Sequence, residues 1–228
     1  MSRRPVLLSW SGGKDAAWTL HTLRARDDVE VVALLTTVNS GYDRIAMHGI
    51  RRDVLHAQAA ATGLPLVEAV IEPRCDNARY EAAIADALAD ARARWPGLDT
   101  VAFGDLFLDD VRVWREASLA KLDWRVETPL FGADTAVLAR AMIAGGLRAH
   151  LCCVDTAQLD ADFSGRAFDD TLLAALPSGC DPCGENGEFH TLVVDGPMFA
   201  TPIAVKAGER VLRDGRFEYT DFLPASAG

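Results

Sequence analysis

No apolar run in this 228-residue sequence approaches the ~18 consecutive residues that a membrane-spanning helix requires. The short hydrophobic stretch after Met1-Ser-Arg-Arg gives way to Ser9, Ser11 and Lys14, too soon for the apolar region of a secretory signal. Both absences predict a cytoplasmic protein with no membrane partner. Cysteine is sparse: Cys75, Cys152, Cys153, Cys180 and Cys183 are an odd, scattered set that fits reduced thiols better than a disulfide framework. Positive charge is in deficit, with 23 Lys and Arg against 33 Asp and Glu. The resulting formal net charge of −10 disfavours broad attraction to nucleic acid or an anionic membrane. No internal repeat or low-complexity tract interrupts the chain.

What is present is the composition of a soluble globular protein, 50% hydrophobic and 25% charged, long enough to bury a core without covalent staples. From Pro5 to about Ala149, short β-branched or leucine-rich runs alternate with Ala-rich helical segments, which signals a parallel sheet covered by helices. Strands are expected at 6–9, 30–36, 66–71, 100–103, 124–126 and 148–154. Tyr80, Ile84, Leu88, Ala91 and Trp95 form one helical stripe, stopped by Pro96-Gly97; Ile50, Val54, Ala57 and Ala61 form another, as do Val137, Ala141 and Ile143 or Ala144. After Val154 the texture changes, with one short helical stretch near 169–176 and short strands at 189–194, 203–205 and 217–219. We therefore expect two units, residues 1–154 and a smaller α+β unit at 155–228.

Between the first strand and the first helix stands Ser9-Trp-Ser-Gly-Gly-Lys-Asp15. Glycines admit close backbone approach, helix N-terminal amides attract anions, and lysine adds a full charge, so the stretch reads as a phosphate or pyrophosphate cradle. A tight strand-to-helix turn is the competing explanation. The familiar G-x-x-x-x-G-K-[ST] loop is excluded, because position 8 is Leu8 and the hydroxyl after lysine is replaced by Asp15.

In an open parallel sheet, ligands sit outside the carboxyl ends of the strands. That edge should bring Thr36 and Thr37, then His48, and Gly104-Asp105 to the same place as Ser9 to Asp15. Asp105 is a candidate Mg2+ or substrate contact, or else a helix cap; His48 is a candidate nucleotide contact, or else a surface residue. The second concentration of chemistry is Cys180-Asp-Pro-Cys-Gly-Glu-Asn-Gly-Glu-Phe-His-Thr191. Two carboxylates, an amide and a histidine on a glycine-rich loop suggest a site in which Glu185, Asn186 and Glu188 face a ligand. Structural zinc would need ligands beyond Cys180 and Cys183, and a redox role has no helix N-terminus behind it.

With both clusters read, the chain resembles the PP-loop ATP pyrophosphatases of the adenine nucleotide alpha hydrolase superfamily, whose S-G-G-K-D-S hallmark is matched by Ser11 to Asp15. More narrowly, Ser11 to Asp15, Gly104-Asp105 and Gly184 to Thr191 resemble the diphthine–ammonia ligase family across nearly the whole chain. The resemblance implies an α/β fold with a Rossmann-like parallel sheet of the HUP type, helices on both faces, and use of ATP and Mg2+. It implies that a carboxylate attacks the α-phosphorus, releasing pyrophosphate, and that ammonia or another amine converts the acyl-adenylate into an amide. Ser9, Trp10, Ser11, Gly12, Gly13, Lys14, Asp15, Thr36, Thr37, His48 and Gly104 would then bind ATP, with Asp15 and Asp105 toward Mg2+. Lys14, Asp15, Asp105, Glu185, Glu188 and His190 would carry catalysis, and Asn186, Gly187 and Glu188 would meet the acceptor, with Glu188 or His190 taking the amine's proton.

Two positions depart from the pattern. Ala16 replaces the hallmark serine, and Asn186 and His190 replace a glycine and a glutamate of the G-E-G-G-E-[FY]-E-T version, a variant that resembles bacterial relatives. The acceptor is therefore expected to be a small-molecule or peptide carboxylate of unassigned identity, and a homodimer is compatible with the sequence. Two other readings stand beside this one: a nucleotide-binding sensor without turnover, favoured by Ala16, and a PP-loop tRNA-modifying enzyme, disfavoured by the net charge of −10.

Overall fold

The computed structural model describes residues 3–225. The chain runs β1 (Arg4–Ser9), α1 (Lys14–Arg24), β2 (Val29–Asn39), β3 (Arg44–Ile45), α2 (Arg52–Thr62), β4 (Leu66–Ile71), α3 (Asn77–Arg94), β5 (Thr100–Ala102), α4 (Asp109–Ala120), β6 (Arg125–Glu127), α5 (Thr135–Ala144), β7 (Arg148–Asp155), α6 (Asp170–Ala175), β8 (Phe189–Asp195), β9 (Val205–Arg213) and β10 (Phe217–Pro224). Asp76, Asp134 and Asp169 cap α3, α5 and α6 by accepting hydrogen bonds from backbone amides three residues on.

Five parallel strands form the first sheet in the order β4-β2-β1-β5-β6, and the two-residue β3 pairs antiparallel with the end of β2. Burial on both faces explains why β1 reads as an unbroken apolar run. Val6, Leu8 and Trp10 join one core, with Ala17, Leu20 and Leu23 of α1, Val54 and Leu55 of α2 and Met142 of α5. Leu7 points the other way, into a core with Leu88 and Ala91 of α3 and Leu119 of α4. The strand order reverses between β1 and β5, and such a switch point opens a crevice at the carboxyl edge of the sheet.

The second sheet is antiparallel, in the order β8-β7-β10-β9. The strand expected at 148–154 as part of the parallel sheet is β7 of this second sheet, paired with β8 and β10. Leu151, Cys152, Cys153 and Val154 are all buried, so a central antiparallel strand here carries the same unbroken apolar run as a parallel one. The strand expected at 203–205 starts only at Val205 and runs to Arg213, exposed along nearly its whole length. Among the described residues no helix is long and apolar enough to cross a membrane.

Ion pairs help to fasten the two sheets. Asp221 on β10 accepts from Arg44 of β3 at 2.8 Å and, through both oxygens, from Arg51 at 2.6 to 3.0 Å. Burial alone would raise the Asp221 carboxyl, but the two guanidiniums outweigh it and hold the group down at about 2. A depressed carboxylate stabilises the fold above its unfolded pKa of about 3.9 and loses that contribution as pH falls through the folded value. Asp221→Asn should therefore cost about 1–2 kcal/mol at pH 7 after allowance for solvent screening. In urea unfolding the gap from the parent protein should shrink as pH is lowered from 4 towards 2; a pH-independent gap would refute the ion-pair explanation.

Candidate active site

The glycine loop after β1 is built by residues distant in sequence. Gly12 adopts φ +78, and a Cβ there would lie 2.7 Å from Gln58 Oε1 and 2.8 Å from Ile50 Cδ1, so the loop has no room for a side chain. Gln58, fully buried on α2, donates through Nε2 to the carbonyls of Gly12 (2.9 Å) and Val193 (2.8 Å) and accepts from the Trp10 indole (3.1 Å). The Val193 amide donates to the Gly12 carbonyl at 2.9 Å, and the Lys14 amide donates to Thr191 Oγ1 at 3.0 Å. The loop is thus held by α2 on one side and β8 of the second sheet on the other. Trp10 is a core residue facing this frame, and Thr36 is buried with its hydroxyl donating to the Trp10 carbonyl. Both side chains are thus turned into the core, away from the residues that line the cavity at the start of α1.

The expected convergence of three chain segments is present. A cavity of about 220 Å³ is lined by Ser9, Ser11, Lys14, Asp15 and Ala16, by His48, by Gly104 and Asp105, and by Glu185, Gly187, His190 and Thr191. Gly104 lies so close to the start of α1 that a Cβ would sit 2.8 Å from the Asp15 carbonyl carbon and 3.0 Å from the Ala16 amide nitrogen. Adjoining it, on the face of the sheet covered by α3 and α4, is a largely apolar cavity of about 400 Å³ lined by Leu35, Thr37, Tyr80, Ile84, Val101 and Trp114. Ser9, Phe103 and Arg115 line both. Arg115 Nε approaches Asp105 Oδ2 at 2.9 Å, an ion pair off the hydrogen-bond line, and Arg115 and Phe103 are cavity residues that no motif announces.

Lys14 is almost wholly buried, its ammonium 2.7 Å from Asp15 Oδ2, donating also to the Cys183 carbonyl and flanked by the Phe168 and Phe189 rings at 5.8 and 5.6 Å. Burial pulls its pKa down, but Asp15, with help from Cys183 and Glu185, raises it overall, so Lys14 stays charged. An ammonium has three donors, and two are used here. His48 and His190 lie ring to ring with centroids 4.5 Å apart. Burial, the His190 partner and Lys14 hold His48 well below its ordinary value, and burial with Lys14 takes His190 down to about 4. Both imidazoles are neutral at pH 7.

Glu185 and Glu188 part company. Glu185 lines the cavity, accepts from the Leu106 amide at 2.8 Å, and is pushed up to about 7 by burial, with the Leu106 amide opposing and Asp15 adding to the rise. Glu188 is buried inside the loop, where Oε1 accepts from the Asp181 amide (2.9 Å) and Asn186 Nδ2 (3.1 Å). Asn186 is exposed, and neither it nor Glu188 lines the cavity, so of the three residues expected at the acceptor only Gly187 does. The cysteines are all free, and burial pushes Cys180 and Cys183 up to about 12, which leaves them unreactive thiols near pH 7. Among the described residues no group of three or more His, Cys, Asp or Glu is placed to hold a metal.

The profile of the diphthamide synthase N-terminal domain matches residues 4–121, and that of the diphthamide synthase C-terminal domain matches residues 134–219. The chain is 27% identical over 232 residues to the diphthine–ammonia ligase of Danio rerio, covering 93% of this chain and 91% of that protein. It is 25% identical over 221 residues to the diphthine–ammonia ligase of Homo sapiens, covering 89% of this chain and 83% of the human protein. A third diphthine–ammonia ligase, from Schizosaccharomyces pombe, is 27% identical over 218 residues, covering 88% of this chain but only 36% of its own length. Two matched domains, one glycine loop shared between them and relatives aligned nearly end to end place this chain in the diphthamide synthase family.

Proposed function

We propose that this ATP-dependent, C–N bond-forming ligase of the PP-loop type adenylates a carboxylic acid and passes the acyl group to ammonia, with Glu185 taking up the proton released. The observation that carries the reading is Glu185 itself: a cavity carboxylate beside charged Lys14, poised near neutrality by burial. The apolar cavity beside Thr37 suits adenosine, and the smaller cavity at the start of α1 suits the phosphates, with Ser9 on the border of both. The α1 N-terminus and the remaining donor of Lys14 would stabilise charge on the departing pyrophosphate. Asp15 Oδ1 is buried without a hydrogen-bond partner, an acceptor open to a cation. Mg2+ held by one carboxylate and phosphate oxygens fits that donor, while Asp105 is already engaged by Arg115. Bound there, Mg2+ would neutralise charge on the phosphates.

In the first step the acid's carboxylate oxygen bonds to the α-phosphorus and the bond to the bridging oxygen of pyrophosphate breaks. In the second, ammonia bonds to the acyl carbon, AMP leaves, and the surplus proton of the nitrogen passes to the Glu185 carboxylate. His48 and His190, both neutral, would line the path without repelling the attacking amine's proton. A sensor without turnover gives no role to a carboxylate tuned to neutrality. The acceptor named for the relatives, diphthine, is one member of the carboxylate class this site would take.

At fixed free-ammonia concentration the amide-forming rate should rise with pH through an inflection near 7, because only the ionised Glu185 accepts a proton. Glu185→Gln should lose that inflection and about 100-fold in rate while still binding ATP; an unchanged inflection would sink Glu185 as the base. Gly104→Ala, which forces a methyl against the start of α1, should weaken ATP binding by about tenfold in calorimetric titration. An unaltered affinity would mean that the phosphates lie elsewhere.

A further inference from the structure

A third cavity lies outside the site described so far. A groove of about 600 Å³, within the range of small-molecule sites, runs between residues 44–49 and the β9–β10 hairpin. Met47 and Gly49 line the groove while His48, between them, lines the phosphate cavity. A single turn is therefore the partition between the two spaces, and Tyr219 braces it by donating to the Met47 carbonyl at 3.2 Å.

The groove is furnished for an anion. Arg44 and Arg51 share the one carboxylate of Asp221, and among the described residues Arg74 and Arg213 have no carboxylate partner. Arg213 instead lies 5.8 and 5.9 Å from the ring centroids of Tyr42 and Tyr219. Four arginines against Glu209, Asp214 and Asp221 leave a small positive excess, suited to one anionic group rather than to a polyanion. The backbone gives an independent sign. Met47 and Arg74 sit at φ +66 and +57, conformations that side-chain-bearing residues rarely adopt and that collect at ligand sites.

We propose that this groove holds the distal part of the acyl acceptor, which is a small acid bearing a second anionic group. Arg74 and Arg213 take that group, Tyr42 and Met47 contact the carbon frame, and the reacting carboxylate reaches the phosphate cavity past His48. The inference rests on the adenylation reading. Two probes separate the sources of the distal charge: tricarballylate offers further carboxylates, and 3-phosphoglycerate offers a phosphate. Calorimetric titration of the full chain should show saturable binding of at least one, weakened at least about tenfold by Arg213→Ala and by Arg74→Ala with ATP affinity unchanged. Both arginines are exposed, so neither substitution should unfold the chain. No saturable binding of either probe, or equal binding in the variants, would overturn the proposal. Because the titration needs no turnover, its failure beside continued AMP and pyrophosphate formation would remove the groove alone. Intact probe binding in a protein that yields ADP would instead overturn the assignment to the acceptor.

Discussion

The site depends on one shared piece of backbone, the Gly12 peptide and its neighbours. The Gly12 carbonyl accepts from both Gln58 of α2 and the Val193 amide of β8, and two residues on, the Lys14 amide is taken by Thr191. The loop therefore belongs to both sheets at once, and its shape is defined only when they are docked. Gln58 is buried with every polar atom engaged, and a buried amide stripped of partners is costly enough to enforce this arrangement. The arginines on Asp221 close the same junction from its far side.

Docking also sets the electrostatics. Cys183, Glu185, Phe189 and His190, on β8 and the loop before it, close over Lys14 and lower the local access to water. Lys14 is kept charged by Asp15, and both imidazoles nearby are kept neutral by burial and by that ammonium. In the same surroundings a carboxylate is lifted towards neutrality instead of being lowered. On the proposed reading, this separates a positive charge for phosphate from a titrating acid for proton transfer, as adenylation followed by amide formation would require.

Much of this was legible in the sequence, and the failures have physical causes. The alternation of apolar runs and Ala-rich stripes revealed the parallel sheet, and the glycine loop, Gly104-Asp105 and the 184–191 loop were recognised because each carries a dense local pattern. Gln58 was invisible: its partners lie 46 and 135 residues away, and a glutamine among alanines carries no local signal. Trp10 stands in the glycine-loop motif, yet the two-residue period of Val6 and Leu8 carries its side chain into the core. The same period distinguishes buried Thr36 from cavity-lining Thr37. Glu185 and Glu188 looked equivalent on a glycine-rich loop, and only the fold shows that one braces the loop while the other faces the cavity. Strand β7 could not be assigned to its sheet from composition, because burial on both faces erases the difference between parallel and antiparallel neighbours.

The central claim is cleavage between the α- and β-phosphates under the charge of Lys14. Phosphorus NMR of the protein with Mg-ATP, ammonium and a small-metabolite extract reads it directly, against a Lys14→Ala control. The account predicts AMP and pyrophosphate above that control; ADP and orthophosphate would contradict it.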